Sequence, residues 1–282
     1  MPSTKGPTGS SLVPRSEWFT TPSLDGVELH ALRIDRPDAT TLVMLHGGGA
    51  NAHWWDHLAP RLAEHFRVIS LDFRGHGDSD HPEFREPGAF DRDLDALLEH
   101  VEAPDAILMG HSMGAHVALR AAARRPELRA IVAIEPSRGG RRGERRRTRL
   151  ALAAARTYAT RDEAIRRFQF LPTAPLAAEA LRSAIAGHSV RQEADGRYGY
   201  KFDPGWFGIG GAEPPELSRI ACPVLIVRGA ESSLLSAEGA AEWTDGIANA
   251  AVVEIPGGGH NVHIECPEEV LAAVEAFVVP CR

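Results

Sequence analysis

The chain has 282 residues, of which 43% are hydrophobic and 24% charged, so it can bury the core of one large domain or two small ones. Its net charge of −7 lacks the basic excess of a nucleic-acid binder, and we expect no nucleic-acid partner. Three scattered cysteines are too few for a disulfide framework or a zinc site, which favours a cytoplasmic location and predicts no metal. No apolar run reaches the roughly 18 residues of a membrane-spanning helix, so we expect no membrane partner either.

The first sixteen residues are rich in Ser, Pro, Gly and Thr, and they lack the apolar segment of a signal peptide. We predict a disordered tail over residues 1–16, in which LVPR resembles part of a protease-cleavage tag. The segments EWFTTPSL and VELHALRI flank Asp25-Gly26, a pair of residues that is typical of a hairpin turn.

Short apolar runs then alternate with helical patterns. Strands are predicted at 41–46, 67–72, 105–109, 130–135, 223–227 and 251–255. Helices are predicted at 57–66, 91–101, 115–125, 236–245 and 267–278. This alternation predicts an α/β fold with a mostly parallel, doubly wound sheet.

The alternation stops between residues 136 and 220. The segment is helical in composition at first and then becomes rich in Gly and aromatic residues in DGRYGYKFDPGWFGIGG. A structureless loop of that length is improbable, so we predict a mainly helical insertion that forms a lid. The core is then expected to comprise residues 17–135 and 221–282.

A candidate nucleophile lies in Gly110-His111-Ser112-Met113-Gly114, between a predicted strand and a predicted helix. In this context G-x-S-x-G indicates a sharp strand-to-helix turn that exposes the serine hydroxyl above the sheet. The helix N-terminus beneath it favours developing negative charge. We therefore predict Ser112 as the nucleophile.

A glycine-rich loop, His46-Gly47-Gly48-Gly49, follows the first buried strand. Glycine lets backbone N–H groups face a substrate oxygen without obstruction by a Cβ atom. The N–H groups of Gly48 and Met113 are the predicted oxyanion hole.

The candidate base is His260, which ends the loop PGGGH after the last predicted strand. This position brings it to the same sheet edge as Ser112. His263 is the nearest rival among thirteen histidines.

These motifs resemble those of the α/β-hydrolase superfamily, and the resemblance extends from about residue 20 to the end of the chain. LHGGGANAHWW, DFRGHGDSD, GHSMG and GGGHNVHIECPEE occur in the family order. The resemblance implies an α/β-hydrolase fold in which Asp72 has a structural role. It says little about the substrate, because this scaffold hosts many chemistries.

The sequence departs from the family at the catalytic acid. Many members carry an aspartate three or four residues beyond the glycine that follows the strand 223–227, where this chain has Ser232 and Ser233. Some members instead use a carboxylate at the end of the strand that follows the nucleophile helix, which corresponds to Glu135. We predict Glu135 as the acid, with Glu231 or no carboxylate at all as the alternatives.

The remaining site predictions concern binding. Candidates for contacting substrate are His53, Trp54, His111 and Trp206. The segment 138–149 holds seven arginines and one glutamate, a pattern that favours a solvated face over a basic mouth for an anionic or carrier-linked substrate.

The expected function is hydrolysis of an ester, lactone or related acyl bond of a small molecule through a serine acyl-enzyme, without a cofactor. Two alternatives stay open. One is an acyl transferase, thioesterase or cyclase that acts on a carrier-linked acyl group. The other is a ligand-binding receptor in which the missing acid weakens catalysis.

Overall fold

A computed structural model describes residues 13–154, 156–208 and 213–282 of the chain. The strands are β1 (Arg15–Phe19), β2 (Leu29–Ile34), β3 (Thr41–Leu45), β4 (Arg67–Leu71), β5 (Ile107–His111), β6 (Ala130–Ile134), β7 (Val190–Gln192), β8 (Tyr198–Tyr200), β9 (Val224–Gly229) and β10 (Ala250–Ile255). The helices are α1 (Ala59–Leu62), α2 (Ala89–His100), α3 (Met113–Arg124), α4 (Arg142–Ala153), α5 (Arg161–Arg167), α6 (Glu179–Ser189), α7 (Ala237–Asp245), α8 (Val262–Glu265) and α9 (Pro267–Val278).

Eight strands form one sheet in the order β1-β2-β4-β3-β5-β6-β9-β10. The six strands from β4 to β10 in this order are parallel, and β1 and β2 add an antiparallel edge. Every residue of the central strands β3, β5 and β6 is buried, as expected for parallel strands covered by helices on both faces. The predicted α/β-hydrolase fold with a mostly parallel sheet is confirmed.

Two local predictions differ from the structure. Residues 57–66 form only the short helix α1, because hydrogen-bonded turns from Ala63 to Phe66 lead directly into β4. Asp25 and Gly26 do adopt positive φ angles of 51° and 84°, yet β1 and β2 are joined by a longer loop that contains a 3-10 turn at Pro22–Leu24.

The predicted tail lies largely outside the described residues. Strand β1 begins at Arg15 and pairs Arg15 with Arg33 and Ser16 with Leu32. The predicted boundary after residue 16 therefore falls two residues inside the first strand, because Arg15 and Ser16 already pair with β2.

The inserted segment 136–220 contains α4, α5 and α6, followed by the antiparallel pair β7 and β8. Its aromatic residues Phe168 and Phe170 pack with Ile185 against Trp54 and Ile264 of the core. Burial of these side chains fixes the insertion above the carboxyl ends of the parallel strands. Within the described ranges, no helix is long and apolar enough to span a bilayer.

Candidate active site

Ser112 lies at the tight turn between β5 and α3, with φ 49° and ψ −108°. A side chain on Gly110 would collide with the backbone of Gly114, and one on Gly114 would collide with the backbone of Leu45. Strand and helix can approach this closely only because both positions are glycine. The strained conformation of Ser112 presents its hydroxyl above the sheet edge.

The glycine-rich loop after β3 lies beside this hydroxyl. A Cβ atom on Gly47 would lie 3.5 Å from the Cβ of Ser112, and one on Gly48 would lie 3.9 Å from the Sδ of Met113. The first N–H group of a helix has no partner within the helix, which leaves the Met113 N–H free for a ligand. Among the described residues, the Gly48 N–H also has no hydrogen-bond partner.

His260 follows β10 and lies within hydrogen-bonding distance of the serine, with 3.1 Å between its Nε2 and the Oγ of Ser112. Its backbone carbonyl accepts a hydrogen bond of 2.9 Å from the Nε2 of His111. Burial lowers the pKa of His111 well below its ordinary value, so this ring is neutral and acts as a fixed donor. His111 thus ties the strand that carries Ser112 to the loop that carries His260.

Glu135 lies immediately after β6, is fully buried and has a φ of 54°. Its Oε2 lies 2.9 Å from the Nδ1 of His260, and its Oε1 accepts a 2.7 Å hydrogen bond from the Gly229 N–H. The structure therefore brings Ser112, His260 and Glu135 together in one hydrogen-bonded chain. Glu231, the alternative acid, is exposed.

Ser232 has a place in this chain that sequence reasoning missed. Its hydroxyl donates a 2.5 Å hydrogen bond to the Oε2 of Glu135 and accepts one from the Leu235 N–H at 3.1 Å. The position that carries the aspartate in many relatives thus supports the displaced carboxylate instead. The sequence did contain a signal for this role. Ser232 stands where many relatives carry the acid for the catalytic histidine, and Glu135 was predicted to contact that same histidine.

Burial raises the pKa of Glu135 to about 8, against the opposing effect of the Ser232 and Gly229 hydrogen bonds. A carboxylate that is buried away from solvent depends on its hydrogen-bond donors to stay ionised. The three donors at Glu135 are therefore part of the electrostatic design of the site.

Ser112 opens into a cavity of about 560 Å³. The predicted oxyanion groups Gly48 and Met113 line it, as do the predicted contact residues Trp54 and Trp206. The insertion contributes Leu152, Leu171 and Phe207 to its wall. A side chain on Gly48 would collide with the ring of Phe207, so the insertion closes directly over the glycine loop.

Two predicted contact residues have other roles. His111 reaches the cavity wall, but its Nε2 is used by the His260 carbonyl. His53 does not line the cavity, because its ring stacks on His188 at 3.8 Å between centroids and its Nδ1 bonds to Asp56 at 2.8 Å. The structure thus places His53 outside the wall of this cavity, and its contact with substrate stays a prediction.

Among the residues that the structure describes, two groups of side chains could hold a cation, namely His53 with Asp56 and His188, and His30 with Asp72 and Asp78. Within each group the ligand atoms lie within 4.8 Å of one another. Asp72 already accepts hydrogen bonds from His30 at 2.7 Å and from the Ala52 N–H at 2.6 Å, which fits the expected structural role. Neither group lines the cavity of Ser112.

Comparison with known proteins places this geometry in a family. The model of the alpha/beta hydrolase family matches residues 42–274. A 2-(acetamidomethylene)succinate hydrolase of Mesorhizobium japonicum is 30% identical over 244 residues, which cover 84% of this chain and 87% of the relative. A pimeloyl-[acyl-carrier protein] methyl ester esterase of Neisseria meningitidis is 40% identical over 96 residues, or 34% of this chain and 36% of that protein.

Solved structures show the same fold. The crystal structure of E-2-(acetamidomethylene)succinate hydrolase superimposes with a TM-score of 0.80 at 24% identity, over 94% of this chain and 99% of that one. The match of the family model, together with the identity to a relative over most of both chains, shows that this protein belongs to the alpha/beta hydrolase family.

Proposed function

We propose that this protein is a serine hydrolase that cleaves a carboxylic ester, lactone or related acyl bond through an acyl-enzyme. The observation that carries the proposal is the continuous hydrogen-bonded chain from Ser112 through His260 to Glu135, with distances of 3.1 and 2.9 Å. Membership of a hydrolase family and the names of the relatives, a hydrolase and a methyl ester esterase, support it.

In the first half of the reaction, His260 acts as a general base. The Nδ1–H group of His260 donates a hydrogen bond to Glu135. Nε2 therefore carries no proton, and its lone pair faces the hydroxyl of Ser112. Nε2 removes the hydroxyl proton as Oγ attacks the acyl carbon, and Glu135 stabilises the imidazolium that forms. His260 then gives the proton to the leaving group.

The oxyanion of the tetrahedral intermediate needs donors in place before the reaction. The N–H groups of Gly48 and Met113 supply them, and the N-terminus of α3 adds a favourable field. In the second half His260 activates a water molecule, which attacks the acyl-enzyme and releases the acid and Ser112.

The receptor alternative rested on the absence of an aspartate from positions 232 and 233, where this chain has serines. Glu135 supplies a carboxylate at hydrogen-bonding distance from His260, which removes the reason for expecting weak catalysis. Hydrolysis is therefore the better-supported function.

Transfer or hydrolysis of a carrier-linked acyl group is the second candidate. It is favoured by the basic entrance of the insertion, where Arg141, Arg146 and Arg147 are exposed beside the cavity residues Thr148 and Leu152. The name of the pimeloyl-[acyl-carrier protein] relative points in the same direction.

We also propose that residues 136–220 act as a lid. Leu152, Leu171 and Phe207 cover the cavity above Ser112, so the insertion must shape or admit the substrate. A crystal structure with this segment displaced from the cavity in the presence of an acyl phosphonate would contradict that role.

The function is tested with a panel of esters, lactones and thioesters, each assayed with the wild-type protein and with Ser112→Ala. We expect hydrolysis of at least one class and its loss in the variant, while circular dichroism shows an unchanged fold. Equal rates in both proteins would remove Ser112 from the mechanism. A strict preference for carrier-linked thioesters would select the second candidate.

A further inference from the structure

A smaller cavity of about 160 Å³, here called the side chamber, adjoins the one that contains Ser112. Gly48, Trp54, Leu152 and Leu171 contribute to both. The side chamber therefore begins beside the proposed oxyanion hole and extends into the insertion. An acyl group whose carbonyl oxygen is bound at Gly48 has its chain directed towards one of these two spaces.

The side chamber is lined by three cationic side chains, Arg156, Arg167 and Lys201, and by no Asp or Glu among the described residues. Lys201 is paired with Asp78 at 2.6 Å, outside the chamber wall. Within the described part of the chain, the side chains of Arg156 and Arg167 make no ion pair or hydrogen bond, and both residues are exposed. Two uncompensated guanidinium groups in a concave site create a positive potential that attracts an anion.

Part of the chamber wall is apolar. Trp54, Leu152 and Phe168 line it, and all three are at least nine-tenths buried. Such a wall suits a short alkyl chain, whereas the guanidinium fork suits a carboxylate in two parallel hydrogen bonds. The residues are thus arranged for a molecule that is apolar in the middle and anionic at its end.

We propose that the side chamber binds the anionic end of the acyl group, so that the preferred substrate is an acyl derivative of an acid with a second carboxylate. This inference rests on the proposed function, because it requires the acyl carbon to lie at Ser112. The side-chamber proposal adds a substrate class and three binding residues, Arg156, Arg167 and Lys201, to the proposed function.

The kinetic test compares monomethyl adipate with methyl hexanoate in a pH-stat assay. We expect the wild-type protein to favour the anionic ester by about tenfold or more in kcat/KM. Arg167→Gln should lower kcat/KM for monomethyl adipate by about 10- to 100-fold, as expected for loss of a charge-assisted hydrogen bond. Methyl hexanoate should be affected less than about twofold. The matched control is Arg166→Gln, since Arg166 and Arg167 are both exposed on α5 but only Arg167 lines the chamber.

A binding test is independent of catalysis. Adipate is titrated calorimetrically into Ser112→Ala and into Ser112→Ala/Arg167→Gln, and we expect binding to the first and at least about tenfold weaker binding to the second. Binding that depends on Arg167 in a protein that hydrolyses neither ester would support the side chamber and count against the proposed function. Ser112-dependent hydrolysis of methyl hexanoate, with neither a preference for the anionic ester nor adipate binding, would overturn the side chamber and leave the hydrolase proposal intact.

Discussion

The sheet edge and the insertion meet at one cavity but differ in how they hold their side chains. At the sheet edge, Ser112, Glu135 and His260 are fixed by strand ends, close glycine packing and consecutive hydrogen bonds. The insertion contributes mostly apolar contacts, such as those of Leu152 and Phe207, together with two arginines, Arg156 and Arg167, whose side chains have no ion pair among the described residues. We therefore propose that the sheet edge determines the reaction and that the insertion determines which acyl group reaches it.

The largest effect is expected at the sheet edge. Ser112→Ala and His260→Ala should each lower kcat by about 10⁴- to 10⁶-fold, because nucleophile and base act as a unit. The double variant should be no slower than either single one. Steady-state kinetics on a reactive ester measures this, and additive losses would show that the two residues act separately.

Glu135→Gln should lower kcat by about 10²- to 10⁴-fold. The amide oxygen would keep the bond from the Gly229 N–H, which leaves the amide NH₂ facing His260. That group donates to Nδ1 and so favours the tautomer with the proton on Nε2, where it cannot accept the proton of Ser112. Near-wild-type turnover would show that Glu135 does not orient the base.

A compensating aspartate sharpens this test. Adding Ser232→Asp to Glu135→Gln should recover part of the turnover, because Ser232 already contacts the carboxylate that bonds His260. Ser233→Asp is the matched control and should recover none, since Ser233, unlike Ser232, makes no hydrogen bond to Glu135 among the described residues. Recovery by both would show that the position of the charge is unimportant.

Ser232→Ala should shift the acid limb of the kcat/KM profile to higher pH. Burial already raises the pKa of Glu135 to about 8, and the Ser232 hydroxyl opposes that rise by stabilising the carboxylate. Catalysis needs this carboxylate, so activity is lost as the pH falls through the pKa of Glu135. Without the hydroxyl that loss begins at higher pH. Ser233→Ala serves as the control, and an unshifted limb would remove Ser232 from the network.

The smallest effect is expected in the insertion. Leu152 stands between the main cavity and the side chamber, so Leu152→Ala should join them and move the preference towards longer acyl chains by about tenfold. Turnover of a short ester should change little. Leu150→Ala on the same helix is the control, because Leu150 is 55% exposed. A large loss of turnover with every ester would show that the insertion also shapes the reacting geometry.

The two regions also differ in how far the sequence predicts them. The strands β3, β5 and β6 are continuous apolar runs between turn signals, and α9 has the bounds expected from its pattern, so the fold follows from local information. Ser112 and His260 can be predicted from the sequence, because the G-x-S-x-G motif determines where Ser112 lies and the loop after the last strand determines where His260 lies.

Other features depend on contacts between distant segments. The bond from Ser232 to Glu135 joins residues 97 apart, and the stacking of His53 on His188 joins the core to the insertion. The side chamber is assembled from the glycine loop, α4, α5 and β8. No periodicity in the sequence predicts contacts between such distant segments, so the proposed substrate chamber could not be predicted as Ser112 was.

The central claim is that Glu135 activates Ser112 through His260, and the rate of covalent labelling tests it most directly. A fluorophosphonate is reacted with the wild-type protein and with Glu135→Gln at neutral pH, and the labelled residue is identified by peptide mass spectrometry. We predict a single label on Ser112 and a labelling rate at least about 10²-fold lower in Glu135→Gln than in the wild-type protein. Labelling of another residue, or equal rates in the two proteins, would contradict it.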